Sequence, residues 1–283
     1  MIAVKAGYRY CPYKSGLSHG VCVCEQLGLE QVLIVQAQKV PGHTGVIMIE
    51  HTAKAFDADL SELSSKIREM GRLAEKQIGD AIEALEKRDI ALAKLVIAAD
   101  DQVDGLQRDI EDKAVTTIAR RQPVAIDLRQ IVGALRISND LERIGDLAEN
   151  VAKRVLLLSD ALPLNSVMLQ LHRMAELVLS QLSQVLQSYE HRDVAAALEV
   201  WRKDQEVDAL HTSIYRELLT YMMENPRNIT FCTHVLFCSK NVERMGDHAT
   251  NIAETVYYFV EGKPLSQERP KADVTSKGVL PPE

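Results

Sequence analysis

The sequence predicts an all-α protein: six long helices forming two tandem, pseudo-symmetric three-helix bundles. Three observations carry this. From 52 to 262 the chain is rich in Ala, Leu, Glu, Lys, Arg and Gln, residues that favour helix. Glycine and proline gather mostly at the two ends, leaving the middle with few breaks. Finally, the text SNDLERIGDLAENVA at 138–152 returns as SKNVERMGDHATNIA at 239–253, with eight identities and no gap. A match this dense at one fixed offset marks two related halves.

The elements follow in order. Residues 1–47 carry six glycines, three cysteines and no sustained period, with a short apolar patch at Val32–Val35 that reads as a strand at most. A helical sequence begins directly after Met48, so 1–47 is expected to lie outside the fold as an extension, disordered or upstream of a native start near Met48; a small extra module is the alternative. The first bundle is expected over 48–160 and the second over 161–262. Helix one runs from about 54 to 87, with Leu60, Leu63, Ile67, Met70, Leu73 and Ile78 on one face. Asp89 caps helix two, which runs to about 121, where Pro123 breaks it. Asp127 is expected to cap helix three, to about 158. After a linker around Pro163, Asn165 starts helix four, to about 190. Asp193 caps helix five, to about 224, and Asn225-Pro226 breaks it. Helix six runs from about 230 to 261 and stops at Gly262-Lys263-Pro264. Residues 263–283 are polar and aperiodic and are expected to be disordered. Long helices joined by short connections become antiparallel neighbours.

Each repeated motif holds a glutamate and an aspartate four apart: Glu142 and Asp146, then Glu243 and Asp247. On a helix that spacing puts both carboxylates on one face, one turn apart. The arrangement is locally unfavourable. Like charges at i,i+4 destabilise a helix by roughly 0.2–0.5 kcal/mol, and Gly145 and Gly246 each cost about 1 kcal/mol in a helix interior. Breaking local rules twice in register points to a site: a cation between carboxylates, with glycine allowing close approach. The plainer reading is a solvated acidic face with Arg143 and Arg244 as partners within the helix. The preceding helices carry matching pairs, Asp100 and Asp104, then Asp204 and Asp208. Each half therefore sets a DxxxD against an ExxxD on the next, antiparallel helix. Oxygen-only donors suit Mg²⁺, Mn²⁺, Ca²⁺ or iron, and four carboxylates leave room for more than one ion per half. Asp101, Glu206, Asn150 and Asn251 are candidate additional ligands or supporting partners.

Other features carry less. His211 and His248 lie near these faces without a counterpart in the other half, and read as surface or core. Trp201 reads as packing. Arg129, Arg136 and Arg143 recur every seven residues, which fits a solvated face better than a phosphate-binding stripe. The formal charge is −7, with +2 in the first 47 residues and −9 in the rest, which argues against nucleic acid as the main partner. Five cysteines, an odd number, without a secretory signal fit a reducing cytosol, and Cys22 and Cys24 are too close for a zinc knuckle. There is no apolar run of 18 residues, so no membrane span is expected.

The stretch RRQPVAIDLR at 120–129, LERIGDLAENV at 141–151 and VERMGDHATNIAE at 242–254 resemble the PhoU family of phosphate-signalling proteins, over about 50–262 and in the expected order. The resemblance implies two three-helix bundles in tandem. It implies metal binding through the E/D-xxx-D motifs, which here places Asp100, Asp104, Glu142, Asp146, Asp204, Asp208, Glu243 and Asp247 as ligands to divalent or trivalent ions (iron, zinc, manganese or magnesium). It also implies a cytoplasmic, homodimeric adaptor, not an enzyme, which represses the phosphate regulon by connecting the ATPase subunit of the phosphate ABC transporter to a membrane sensor histidine kinase. The alternative within the resemblance is an accessory protein of a low-affinity phosphate carrier. A di-iron helical-bundle enzyme would need Glu-x-x-His pairs; the i+3 positions here are Gly145 and Gly246.

Overall fold

The computed structural model describes residues 46–158 and 164–266, with the side chains described from Ala55 onward. Two compact units divide the chain, Met1–Ala55 and Phe56–Glu283, and the helical body belongs to the second. The expectations for Val32–Val35 and for most of 1–47 and 263–283 fall outside the described residues. Six α-helices follow one another: α1 Val46–Lys87, α2 Ile90–Arg121, α3 Ile126–Val155, α4 Asn165–His191, α5 Val194–Glu224 and α6 Ile229–Glu261, with a single 3-10 turn at Pro226–Asn228. No strand occurs among the described residues.

Local chemistry explains most of the boundaries. The corners after α1 and α4 are built alike. Arg88 and Arg192 both take a left-handed backbone with φ of 55°. The next residue then caps the following helix: Asp89 accepts from the Leu92 N–H, and Asp193 from Ala195 and Ala196. Gly262 at φ 74° closes α6, as glycine does at a left-handed C-terminus. Two expectations need correction. α1 starts at Val46, not near 54, because nothing between Val46 and Lys54 breaks a helix, and it runs through Met48. Asp127 does not cap α3. Ala125 holds that position at φ 49° with no side-chain cap, and Asp127 lies in the first turn, where its negative charge favours the helix dipole.

Helices α1–α3 form one bundle and α4–α6 the other. In the first, Lys66 and Lys113 of α1 and α2 reach across to Asp109 and Asp59 at 2.8 and 2.9 Å, and α2 packs on α3. In the second, all three helices pack on one another. The bundles join along α1/α4 and α3/α6. Arg68 pairs with Glu190 and Glu86 with His172, each at 2.8 Å, so α1 and α4 run antiparallel. On the other seam, the Arg136 guanidinium lies 5.0 Å from the Tyr258 ring, Asp140 meets His248 at 2.9 Å, and the Arg154 guanidinium lies 4.2 Å from the Phe237 ring. α3 and α6 are therefore antiparallel too. This geometry refines the reading of the arginine stripe: Arg136 and Arg143 are exposed, as on a solvated face, but Arg136 also lies over the Tyr258 ring, and the half-buried Arg129 packs at the Gly262 end of α6.

The cores follow the helical period. Leu63, Ile67, Met70 and Ile78 of α1 are buried, as are Ile137, Leu141 and Ile144 of α3 and their counterparts Cys238, Val242 and Met245 of α6. Each fully buried side chain of this size contributes about 1.5–3 kcal/mol relative to exposure. α2 buries only a thin stripe, Ala93, Val96, Val103, Ile110, Ala114 and Thr117, because it covers one side of its bundle. Of its acidic residues, Asp100 and Asp104 lie within range of the α3 carboxylates.

Candidate functional site

The repeat places equivalent residues at equivalent points. Residues of α1 and α2 correspond to those of α4 and α5 at an offset of 104, and residues of α3 to those of α6 at 101. Gly145 and Gly246 mark the centres of the two sites. A methyl group added at Gly145 would stand 3.0 Å from Gln77 Oε1, 3.1 Å from Asp100 Oδ1 and 3.5 Å from a methyl of Val103. At Gly246 it would stand 3.5 Å from Val178 and Val207 and 3.6 Å from Gln181 Oε1. Val103 and Val207 are equivalent, and so are Gln77 and Gln181. Both glutamines are buried, and both Oε1 atoms lack a hydrogen-bond donor. An unmatched buried carbonyl is unfavourable by about 1–3 kcal/mol. The same unmatched oxygen stands beside the glycine at two equivalent positions, so the feature belongs to the repeat.

In the first half the carboxylates repel one another. Burial first, then the negative charges of Glu149, Asp146 and Asp104, push the Asp100 carboxyl up to about 6, and the Gln77 amide at 3.4 Å partly opposes this. Burial and Asp146 also raise Glu142, with Arg143 pulling the other way. Arg143 reaches Asp146 at 3.2 Å, but this arginine is mostly exposed and the pair contributes little. In the second half Asp204, Asp208 and Glu243 are buried. The Lys240 ammonium lies 2.8 Å from Glu243 Oε1, while Oε2 has no partner. The Thr250 hydroxyl donates to Asp204 Oδ1 at 3.2 Å. Burial raises the Glu243 carboxyl, and Lys240 opposes it.

The structure thus brings Asp100, Asp104, Glu142 and Asp146 into mutual range along α2/α3, and Asp208, Glu243 and Asp247 along α5/α6, with Asp204 beside Thr250. Among the described residues, no three Asp, Glu, His or Cys side chains close into a ready cage around one point. The donor set nevertheless fits a hard cation: carboxylates in excess, a carbonyl oxygen without a partner, and a glycine that lets these oxygens come close to the helix backbone. Of the supporting candidates, Asp101, Glu206 and Asn150 are exposed, and Asn251 turns to Asp140 at 3.4 Å. His211 is buried against Ser239 at 2.8 Å, and His248 pairs across the bundles with Asp140. The Trp201 indole packs and donates to Glu254 at 3.0 Å. Sequence reasoning missed Gln77, Gln181 and Glu149.

The PhoU domain family model matches residues 67–155 and 171–256. Similar proteins include the "Phosphate-specific transport system accessory protein PhoU homolog" of Rhizobium meliloti, 51% identical over 80% of this chain and 95% of the relative, and the protein of that name from Caulobacter vibrioides, 48% identical over 81% and 100%. Among solved structures, PhoU from Pseudomonas aeruginosa is similar at 38% identity with a TM-score of 0.70, covering 74% of this chain and all of that one. The phosphate transport system regulatory protein PhoU from Streptococcus pneumoniae is similar at 28% identity with a TM-score of 0.69, covering 75% of this chain and all of that one.

Proposed function

The chain belongs to the PhoU family, and from that premise we propose that it is an accessory protein of a phosphate transport system that represses phosphate-uptake genes when phosphate is plentiful. It does so as a cytoplasmic adaptor between the transporter's ATPase subunit and a membrane sensor histidine kinase. The observation that carries the reading is the alignment of relatives bearing the accessory-protein name over nearly their whole length, through both bundles. No described helix is long and apolar enough to cross a membrane, and two long bundles offer preformed helix faces of the kind that partner proteins engage.

Metal cations belong to the same proposal. Asp100, Asp104, Glu142 and Asp146, with the Gln77 carbonyl, would hold one in the first half. Asp204, Asp208, Glu243 and Asp247, with Gln181, form the corresponding set. A bound cation supplies positive charge that these carboxylates lack. The residues themselves fix the spacing of α2 against α3 and of α5 against α6, and so the shape of the outer surface. Reporter expression in a deletion strain, with pull-down of the ATPase and of the kinase's cytoplasmic part, tests the adaptor reading. Uptake genes should stay on in high phosphate without the protein, and both partners should be retained. Normal repression in the deletion strain, with neither partner bound, rejects the reading in favour of a carrier accessory.

A further inference from the structure

The same twofold correspondence that relates the acidic sites also relates two cavities at opposite ends of the seam between the bundles. They have diverged in chemistry. One, of about 30 Å³, is lined by Leu85, Leu158, Met168 and Phe231 together with Glu86 and Arg88. The other, of about 130 Å³, has Tyr189, Phe259, Ser64 and Gln130 at the four corresponding places, together with Glu190 and Arg192. The polar contact beside each is matched as well: His172 with Glu86 in the first, Arg68 with Glu190 in the second. So the glutamate and the left-handed arginine are common to both ends. Leucine, methionine and phenylalanine at one end are replaced at the other by tyrosine, serine and glutamine, and histidine by arginine. Packing alone does not call for this change, because the apolar set already fills the same frame.

The polar cavity is rich in donors. Tyr189 is 5% exposed, and its hydroxyl has no partner in hydrogen-bonding geometry, with Ser64 the polar side chain facing it. An orphaned buried hydroxyl is unfavourable unless something accepts from it. Arg192 donates to Gln130 Oε1 at 2.9 Å, which leaves the Gln130 amide NH₂ as a further donor. Arg68 lies at the rim, 2.8 Å from Glu190. Two guanidiniums against one carboxylate leave the pocket with an excess positive charge, and its volume suits a small polyatomic ion. Glu190 refines the choice. A carboxylate beside the ligand repels an anion that only accepts, but takes a hydrogen bond from one that still carries an acidic O–H.

We propose that this cavity binds a small protonated oxyanion, of which inorganic phosphate is the simplest, with Arg68, Arg192, Ser64 and Tyr189 donating to its oxygens and Glu190 accepting from its O–H. The site is separate from the carboxylate clusters and does not depend on metal. Because α1, α3, α4 and α6 all line it, the ligand would tie the two bundles together.

Calorimetric titration of the full chain, treated with chelator, tests this with inorganic phosphate and, at matched ionic strength, with sulfate. The expected result is one phosphate per chain, a raised Tm, and binding of sulfate at least about tenfold weaker. Tyr189→Phe should weaken phosphate binding about tenfold. The double variant Ser64→Met, Tyr189→Leu, which installs the residues of the apolar end, should abolish binding while circular dichroism shows the helices intact. Should the double variant fail to fold, Tyr189→Phe and Arg68→His decide, since each is a milder change. No phosphate binding by the wild-type chain, sulfate bound as tightly as phosphate, or undiminished binding by Tyr189→Phe and Arg68→His would each overturn the proposal.

Discussion

In the first half, Asp100 faces the Glu149 carboxylate; at the corresponding place in the second half, Asp204 accepts from the Thr250 hydroxyl. Likewise Asn139 of the first half corresponds to Lys240 of the second, whose ammonium sits on Glu243. One helix frame thus carries two different charge balances. The first site collects five carboxylates, Asp100, Asp104, Glu142, Asp146 and Glu149, and its positive charges, Arg108 beside Asp104, Arg143 beside Asp146 and Lys153 beside Glu149, all sit on exposed side chains. The second is buried but brings its own lysine and hydroxyl. The comparison teaches that duplication preserved the geometry, the glycine, the glutamine and the valine, while letting the means of neutralisation diverge. On the proposed reading a cation should relieve the first site more, because burial and three neighbouring carboxylates all raise Asp100 while the cations of that site are exposed.

The largest test removes the motif carboxylates from one half at a time. Glu142→Ala with Asp146→Ala should reduce the metal content of protein purified without a metal-affinity tag, and weaken binding to the first half by at least about 100-fold, with loss of the metal-dependent rise in Tm. Glu243→Ala with Asp247→Ala should change metal content less and stability more, since Glu243 is buried and its removal leaves a void at the α5/α6 seam. Elemental analysis and thermal melts with and without chelator measure both. If the first double variant leaves metal content and melting unchanged, the metal reading of the motifs is wrong.

A second test uses pH. The folded Asp100 carboxyl, at about 6, lies above its unfolded value of roughly 4. Between those values the folded chain keeps a proton that the unfolded chain has released. Stability from this group is therefore full below about pH 4 and is lost as pH rises through about 6. Metal-free Asp100→Asn should be more stable than wild type at pH 7, by about 1 kcal/mol once solvent screening of this half-exposed group is allowed for, and the gain should vanish near pH 4. With metal present the sign should reverse, because the amide is a poorer ligand. Melts across this pH range, with and without chelator, decide it.

How far the sequence revealed these sites depended on the range of the chemistry. Asp89, Asp193 and Gly262 act on neighbours a few residues away, and their roles were legible. Asp127 misled because the cap position depends on the backbone that follows Pro123, where Ala125 takes a positive φ. The carboxylate pairs were legible because helical spacing alone puts them on one face. Gln77 and Gln181 were not, since α1 and α4 share little text beyond them, although the 104-residue offset that relates Asp100 to Asp204 relates them too. Glu149 stood inside the repeat but at a position where the copies differ. Only identical positions advertise the repeat, and here the difference is what separates the sites. The α6 contacts of Arg129 and of the exposed Arg136 were not legible, because those partners lie more than a hundred residues away.

The finest test asks whether the two glycines do the same work. A methyl group at Gly246 meets its neighbours at 3.5–3.6 Å, ordinary contact distances. There Gly246→Ala should keep most of the helix-propensity gain and stabilise the chain by up to about 1 kcal/mol. At Gly145 the added methyl lies 3.0 and 3.1 Å from the Gln77 and Asp100 oxygens, so both side chains must retreat by a few tenths of an ångström. Their ends are flexible, and the retreat also moves Asp100 away from repulsion, so Gly145→Ala should leave metal-free stability nearly unchanged. It should, however, weaken metal binding in the first half several-fold, because the oxygens it displaces are the proposed ligands. Gly246→Ala should leave that binding untouched. Melting of chelator-treated protein and metal titration of both variants separate the outcomes, and equal effects of the two substitutions on binding would show that the close approach at Gly145 serves helix packing, not a ligand.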